Sequence, residues 1–240
     1  MPPLILTRAC DVRASDLHYL FGLYGDSGAG KTWLAASAPK PVVLLTEQNG
    51  EQSLRLSNPG ASYVVVRNAE GVRDFLRMAQ DGTLAQQGFE TLVIDGLTEI
   101  QQLIRDEISL RKGGDEFSIS DWGELTDKMR KLMRLLRSLA SRYHVVCTML
   151  ADEEFAGEVK HVKPSFQGKK LANEVMQFFS AVGYVYKRPA KGEENGVEHV
   201  AMFDGPARIK AKNCHPIRGV RAGPITEWID VLRAGSDTRE

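Results

Sequence analysis

Short apolar runs alternate with helical patterns along most of the chain. The runs that predict β-strands cover residues 18–24, 41–46, 62–66, 91–95, 144–150, 182–187 and 197–203. Strands that alternate with helices join through right-handed crossovers, so this order predicts a mainly parallel sheet flanked by helices. The last two strands are joined by a short polar segment and predict a C-terminal β-hairpin that extends the sheet. The pattern therefore predicts an α/β fold, and because no repeat or low-complexity linker divides it, we expect one domain over residues 1–240.

One long helix is predicted over residues 121–142, because apolar side chains recur there at three- and four-residue spacing. These side chains are Trp122, Leu125, Met129, Leu132, Leu136 and Leu139. Their common face predicts packing against the core, and Asp121 or Ser120 is the expected N-cap. Glycine, proline and charged residues predict loops at 111–118, 151–170 and 189–196.

The composition is that of an ordinary globular protein, with 42% hydrophobic residues, 26% charged residues and no net charge. Lys and Arg are twice as numerous as Asp and Glu between residues 156 and 221, which predicts a local basic face. No apolar run has the length of a membrane span or of a secretory signal. The three cysteines, Cys10, Cys147 and Cys214, are too scattered to suggest a disulfide or a metal site. We therefore expect a protein of the reducing cytoplasm.

Residues 25–32 read GDSGAGKT and match the phosphate-binding pattern G-x-x-x-x-G-K-[ST] in full. They lie between a predicted strand and the helix-like TWLAAS, which is the context that the pattern requires. Glycines let backbone N–H groups curl around phosphate oxygens, Lys31 reaches the β- and γ-phosphates, and the Thr32 hydroxyl ligates Mg²⁺. The predicted site for ATP and Mg²⁺ consists of Gly25, Asp26, Ser27, Gly28, Ala29, Gly30, Lys31 and Thr32. The alternative is a glycine-rich turn that precedes a helix by chance.

Two carboxylates at predicted strand ends complete a candidate hydrolytic site. Asp95 ends the apolar strand in FETLVIDG, and a carboxylate in this position can hold the hydrated Mg²⁺ ion. The following residue is Gly96 rather than an acid, so a general base must come from elsewhere. Glu47 follows the strand PVVLL and can approach an attacking water from the same edge of the sheet. The alternatives are a turn aspartate for Asp95, a solvated strand-end acid for Glu47, and Glu51 as the base.

Seven segments in a fixed order resemble the phage-encoded RecA-like P-loop ATPases. They are GDSGAGKT, LLTEQNG, LVIDGLTEI, SDWGELTDKMRKLMRLLRSL, HVVCTMLADEE, KPSFQGKKLANEVMQFFSAVGYVYKR and RIKAKNCHP. That group includes the RecA-core single-strand annealing proteins of the Sak group and phage AAA-type nucleotide-binding proteins. The resemblance covers most of the chain, although only the P-loop is specific by itself. It implies a RecA-like ATPase fold, a ring or filament of identical subunits and, for a phage protein, a place in the host cytoplasm.

The resemblance also implies roles for three residues outside the P-loop. RecA-like proteins sense the γ-phosphate with a polar residue at the end of the strand after Asp95, and here that residue is Thr148. Glutamine or histidine is often found there, so a core threonine bonded to backbone is the alternative. Lys210 and Lys212 match a Lys-x-Lys pair that RecA-like filaments place against the ATP of a neighbouring subunit. On a strand the two lysines would point to one side, and an ordinary basic edge strand is the alternative.

The predicted loop 151–170 is a candidate for contacts with single-stranded DNA, because loops in this region line the DNA channel of RecA-like proteins. Cations that bind phosphate and rings that stack on bases suit single-stranded nucleic acid. The candidate residues are Lys160, Lys163, Phe166, Lys169 and Lys170. Acidic residues dilute the charge of the same segment, so a solvated mobile loop is the alternative.

Together these features predict a RecA-like ATPase that hydrolyses ATP with Mg²⁺ and acts on single-stranded DNA in phage recombination, annealing or replication. The residues assigned to catalysis are Lys31, Glu47, Asp95, Lys210 and Lys212. Two alternatives stay open: a nucleotide-dependent switch or assembly factor without DNA contact, and a small-molecule kinase. A kinase would need an acceptor pocket and usually a mobile, arginine-bearing lid, and the basic region 156–221 matches that requirement poorly.

Overall fold

A computed structural model describes residues 12–47, 50–114, 116–168, 171–190, 196–215, 217 and 219–237. Cys10 and most of the predicted loop 189–196 lie outside these ranges. The strands are β1 Leu20–Gly25, β2 Pro41–Leu45, β3 Ser62–Val65, β4 Thr91–Asp95, β5 His144–Ala156, β6 Val159–Pro164, β7 Ala181–Pro189, β8 Val197–Met202, β9 Lys212–Asn213 and β10 Val220–Arg221. The helices are α1 Lys31–Ala35, α2 Gly50–Ser57, α3 Ala69–Gln80, α4 Thr83–Gln86, α5 Leu97–Arg111, α6 Ile119–Leu139, α7 Leu171–Phe178 and α8 Ile225–Asp237. No helix in the described ranges is both long and apolar enough to cross a membrane.

The strands form one sheet in the order β10-β8-β7-β1-β5-β4-β2-β3. The six strands from β7 to β3 are parallel, and β8 and β10 extend the sheet with antiparallel pairing. β9 also pairs with β7, and β6 pairs with the far end of β5. β5 lies between β1, which leads into the P-loop, and β4, which ends in Asp95. The predicted α/β fold, with a mainly parallel sheet, flanking helices and a late β-hairpin, is confirmed.

Alternating side chains of the central strands face two separate cores. Leu20 and Tyr24 of β1 belong to a core that includes residues of α3, α5, α6 and α7. Phe21 and Leu23 of the same strand belong to a second core with α1 and α8. A parallel strand that is covered on both faces leaves only its ends accessible. Functional groups are therefore expected at the carboxyl ends of the strands, where open α/β sheets bind ligands.

The segment 151–170 was predicted to be a loop, and this prediction is wrong for most of its length. β5 continues to Ala156 and β6 returns from Val159, so the two form an antiparallel hairpin that projects from the sheet. Opposite charges that face each other across a strand pair stabilise it. The many charged residues of this segment therefore suggested a loop, although the segment forms paired strands.

The start of the long helix also differs from the prediction. α6 begins at Ile119 with Ser118 as its N-cap, two residues before the earlier of the predicted caps. Asp121 is the third residue of the helix, and its carboxylate accepts a hydrogen bond from the Ser118 backbone N–H at 2.7 Å. The pair forms a capping box, in which an acidic side chain reaches back to the cap. The predicted apolar face is confirmed, because Leu125, Met129 and their partners lie in the core.

Tyr19 and three histidines form a cluster of rings at the end of the sheet opposite the P-loop. The Tyr19 ring stacks on His144 with centroids 5.7 Å apart and meets His215 edge-on at 5.1 Å. The rings of His18 and His144 are 5.1 Å apart. Burial, followed by the nearby His18 and Arg233, lowers the pKa of His144 to about 4. Burial also lowers the pKa of His18 and of His215, so neutral histidines pack in this cluster at pH 7.

We expect protonation of His144 to destabilise the protein in mild acid. Because its folded pKa of about 4 lies below the ordinary 6.5, its contribution is fully present above pH 6.5 and is lost as the pH falls. Between pH 7.5 and 5 His144 should account for about 2 kcal/mol of the fall in the free energy of unfolding, as measured by urea unfolding. His144→Gln is the control and should reduce the pH dependence by this amount, because His18 and His215 are present in both proteins. Asp95 and Glu47, whose raised pKa values act in the opposite direction, are present in both proteins. The same pH dependence in both proteins would contradict the prediction.

Candidate active site

The P-loop connects β1 to α1 and contains two glycines in the left-handed region of the backbone. Gly28 has a φ of 74° and Gly30 a φ of 97°, values that other residues rarely adopt. The backbone N–H of Ala29 donates to the carbonyl oxygen of Asp26 at 3.2 Å and closes the turn. The predicted nucleotide residues 25–32 therefore lie together between the end of β1 and the first turn of α1.

The Lys31 side chain folds back onto the P-loop. Its ammonium nitrogen Nζ donates to the carbonyl oxygens of Gly25 at 3.0 Å and of Asp26 at 2.7 Å. Burial lowers the pKa of Lys31, whereas the carboxylates of Asp95 and Glu47 act to raise it. The cation thus lies within the electrostatic field of both predicted acidic residues.

Asp95 is the centre of a buried hydrogen-bond cluster. It ends β4, and only 9% of the residue is exposed. Thr32 Oγ1 donates to Asp95 Oδ2 at 2.8 Å, and Thr148 Oγ1 of β5 donates to Asp95 Oδ1. Burial raises the pKa of Asp95, and the two hydroxyl donors and Lys31 lower it in part. The Thr148 hydroxyl therefore donates to a carboxylate of the site. The alternative given above was a core threonine bonded to backbone.

Glu47 faces this cluster across Gly96. A β-carbon built on Gly96 would lie 3.4 Å from Thr148 Oγ1 and 3.8 Å from Glu47 Oε1, so these groups border one small space. Partial desolvation beside the cavity, and then the charge of Asp95, raises the pKa of Glu47, although the residue as a whole is exposed. Both Glu47 and the competing Glu51 are exposed, but only Glu47 lines the cavity next to the P-loop. The geometry therefore favours Glu47 over Glu51 as the acid that faces the site.

The cavity has a volume of about 430 Å³, within the range of roughly 300–1,000 Å³ that is typical of small-molecule sites. One part is lined by the P-loop and the acidic cluster. The lining also includes Trp33, Lys187 and His199, which sequence analysis missed. Lys187 and His199 face each other in the β7–β8 hairpin. The pattern predicted this hairpin but held no signal that β7 lies beside β1, and only that neighbour brings the two residues to the P-loop.

A family model described as an AAA domain matches residues 18–215, which is more than half of the chain. The chain belongs to this AAA domain family. A search of curated proteins found no similar sequence. The matched range includes the P-loop, Glu47, Asp95 and Thr148, so the AAA domain is a nucleotide-binding P-loop NTPase.

The hairpin of β5 and β6 in this AAA domain contains two of the lysines predicted to contact DNA. Lys160 forms an ion pair with Glu153 at 2.5 Å, and Lys163 forms one with Glu154 at 2.6 Å. Both pairs span the hairpin, so acidic side chains offset the charge of these lysines. Exposed ion pairs of this kind contribute little stability and can exchange partners.

The aromatic residues of the same region are arranged differently from the prediction. Phe166 is partly buried and packs against the main core of the AAA domain, so its ring contributes to packing. Phe155, which is paired with Lys160 in the hairpin, is 68% exposed and is the ring that faces solvent. Lys169 and Lys170, the other two predicted contacts, lie outside the described residues.

The prediction that Lys210 and Lys212 share one strand is wrong. β9 begins at Lys212, whereas Lys210 precedes it and donates its backbone N–H to the carbonyl oxygen of Val162 in β6 at 2.9 Å. The Lys212 ammonium donates to the carbonyl oxygen of Gln177 at 2.9 Å, near the end of α7. Cations stabilise helix ends in this way, because the last carbonyls lack helical partners. The Lys210 side chain is exposed, so it is the member of the pair that is accessible from outside.

We expect Thr148→Val to destabilise the AAA domain by about 1–3 kcal/mol, because the buried Asp95 carboxylate loses a hydrogen-bond donor. Loss of the donor raises the pKa of Asp95 further. A carboxyl whose folded pKa is raised loses stability as the pH rises, so the destabilisation should be larger at pH 7.5 than at pH 5. Urea unfolding at both pH values measures this difference. Thr148→Ser keeps the hydroxyl and is the matched control; equal stability of the valine and serine variants at pH 7.5 would disprove the role of this bond.

Proposed function

We propose that this AAA domain is a Mg²⁺-dependent ATPase in which Glu47 activates the attacking water. The observation that carries the proposal is the meeting of Thr32, Asp95, Thr148 and Glu47 beside the P-loop. These residues come from four separate segments of the chain, and the parallel sheet brings the segment ends to one edge. Such an arrangement matches the needs of phosphoryl transfer, where the protein positions groups and stabilises charge.

Thr32 and Asp95 are the residues suited to hold Mg²⁺. This ion prefers oxygen ligands and usually takes one or two from the protein, with the remainder from water and phosphate. The two oxygens lie 2.8 Å apart, on Thr32 Oγ1 and Asp95 Oδ2, so both can face one ion. Bound Mg²⁺ would neutralise negative charge on the phosphates. Lys31, one residue from Thr32, adds a positive charge to the same site.

Glu47 fits the role of general base because of its position and its environment. Gly96 follows Asp95 and has no side chain, so the space beside Thr148 is bordered by the Glu47 carboxylate. A base works best when its pKa approaches the working pH. Partial desolvation and the nearby Asp95 shift the pKa of Glu47 in that direction.

We expect Glu47→Gln to retain ATP affinity and to slow ATP hydrolysis by roughly 10² or more, the scale of general-base loss. The amide has nearly the shape of the carboxylate but cannot accept a proton from water. Phosphate release measures turnover, and equilibrium binding of a fluorescent ATP analogue measures affinity. Glu51→Gln is the matched control and should keep normal turnover. Normal turnover in Glu47→Gln with loss in Glu51→Gln would identify Glu51 as the base.

We further propose that the β5–β6 hairpin binds single-stranded DNA, in phage recombination, annealing or replication. Phe155 supplies an exposed ring for base stacking, and the opposing Lys160 supplies a cation for phosphate. The lysine ion pairs support the alternative of a nucleotide-dependent switch without DNA contact, since acids already satisfy both cations.

Contacts between the hairpin base and α5 support coupling of such binding to ATP. Thr98 Oγ1 donates to the carbonyl oxygen of Ser165 at 3.1 Å. Gln101 donates to the Gln167 carbonyl oxygen and accepts from its backbone N–H, both at 2.8 Å. α5 starts two residues after Asp95, so a shift of Asp95 can be passed to the segment that follows β6.

We expect the AAA domain to bind single-stranded DNA more tightly with a non-hydrolysable ATP analogue, and Phe155→Ala to weaken that binding by roughly tenfold. Lys160→Ala should reduce the slope of log affinity against log salt by about one. Fluorescence anisotropy over a salt series measures both quantities. Tyr63→Ala, which removes an exposed ring from β3, is the matched control. Absence of binding at low salt would favour the switch.

We also propose that the protein forms a ring or filament, in which Lys210 approaches the ATP of the next subunit. The exposure of Lys210 supports this role, because a lysine must be accessible to act across an interface. A cation placed there would offset charge that develops on the phosphates. Lys212 contributes indirectly, since its bond to Gln177 fixes the segment that carries Lys210. Particle size with ATP and DNA tests the assembly, and a monomer throughout would remove this role.

A further inference from the structure

The cavity beside the P-loop has two ends, and the proposed hydrolytic residues use only one of them. Asp95, Thr148 and Glu47 lie on the side of β1 that contains β5, β4 and β2. Lys187 and His199 lie on the other side, where β7 and β8 adjoin β1. We expect a triphosphate that lies along the P-loop with its γ-phosphate at the first end to extend toward the second end. The nucleoside is attached there.

His199 is held directly against the P-loop. Its Nδ1 lies 2.9 Å from the carbonyl oxygen of Ala29, and because a carbonyl only accepts, Nδ1 carries the proton of this hydrogen bond. A β-carbon on Gly30 would overlap the His199 ring. The ring therefore requires glycine at this position, and the contact fixes it at the second end of the cavity.

Trp33 provides a second ring at the same end. It follows Thr32 in α1 and is 38% exposed, although an indole is large and mostly apolar. Its ring centroid lies 5.2 Å from that of His199, with an angle of 40° between the planes. Lys187 is exposed, faces His199 in the β7–β8 hairpin and lines the same cavity. Two rings and a cation thus adjoin the place where the nucleoside is expected.

We propose that Trp33 and His199 form the nucleobase subsite of this AAA domain, with Trp33 as the exposed stacking surface. The inference rests on the proposed ATP site and adds the residues that select a nucleotide over an inorganic polyphosphate. Stacking accepts any base because every base has a π-face, so the subsite recognises the presence of a nucleoside more than its identity. Lys187 lies beside it as a cation for the phosphate next to the ribose.

The test compares two ligands that share their phosphates and differ in the nucleoside. Isothermal titration calorimetry with Mg²⁺ gives the affinities for a non-hydrolysable ATP analogue and for inorganic tripolyphosphate. Trp33→Ala should weaken binding of the analogue by roughly tenfold and leave the affinity for tripolyphosphate unchanged. Trp33→Phe keeps a ring and should restore most of the analogue affinity. Trp122→Ala removes a tryptophan outside the cavity and is the matched control. It should keep the wild-type ratio of the two affinities.

Trp33 is tested in preference to His199 because loss of the histidine ring would also disturb Ala29. Wild-type tryptophan fluorescence gives a second readout: the analogue should change it, tripolyphosphate should not, and Trp33→Phe should abolish the change. If Trp33→Ala lost affinity equally for both ligands, or for neither, the proposed subsite would be wrong. If Leu56→Ala lost more affinity for the ATP analogue than Trp33→Ala, the nucleoside would lie at the opposite end of the cavity, and the proposed subsite would again be wrong. If the wild-type protein binds neither ligand, the proposed ATP site itself fails.

Discussion

A buried carboxylate that requires hydrogen-bond donors organises the candidate active site. Asp95 is almost removed from solvent, and an ionised carboxylate in such a place is costly unless other groups donate to it. Thr32 comes from the P-loop and Thr148 from the interior of the neighbouring strand β5, so the two donors tie three chain segments together. The position of β5 between β1 and β4 makes this possible. The strand order is thus a condition for the candidate active site as well as for the fold.

Several further contacts hold the P-loop in place where it must bind phosphate. Lys31 is held by backbone carbonyls, and the P-loop glycines adopt conformations that side chains would oppose. His199 adds a support from a strand that is remote in sequence. A loop that is fixed from both sides loses less conformational freedom when a ligand arrives, which favours binding. Preorganised donors also cost little reorganisation during reaction.

Local signals in the sequence predicted most of the fold and the phosphate-binding part of the site. Strand ends, the P-loop pattern and the apolar face of α6 each depend on neighbours within a few residues, so they can be read from the chain itself. The surroundings of Lys212 and His199 depend on contacts with residues 35 and 170 positions away. No periodicity encodes such contacts. The hairpin at 151–170 was missed for a related reason, because its charges are satisfied across strands and not by solvent.

β5 has a mechanical consequence beyond its role in the sheet. It runs without interruption from His144 through Thr148 to Ala156 in the hairpin. From Thr148 to Phe155 the strand covers about 23 Å, at roughly 3.3 Å per residue. If the strand moved as one rigid body, a tilt of about 5° near Thr148 would displace Phe155 by about 2 Å. A small displacement at Thr148 would then become a larger displacement at Phe155, on the surface.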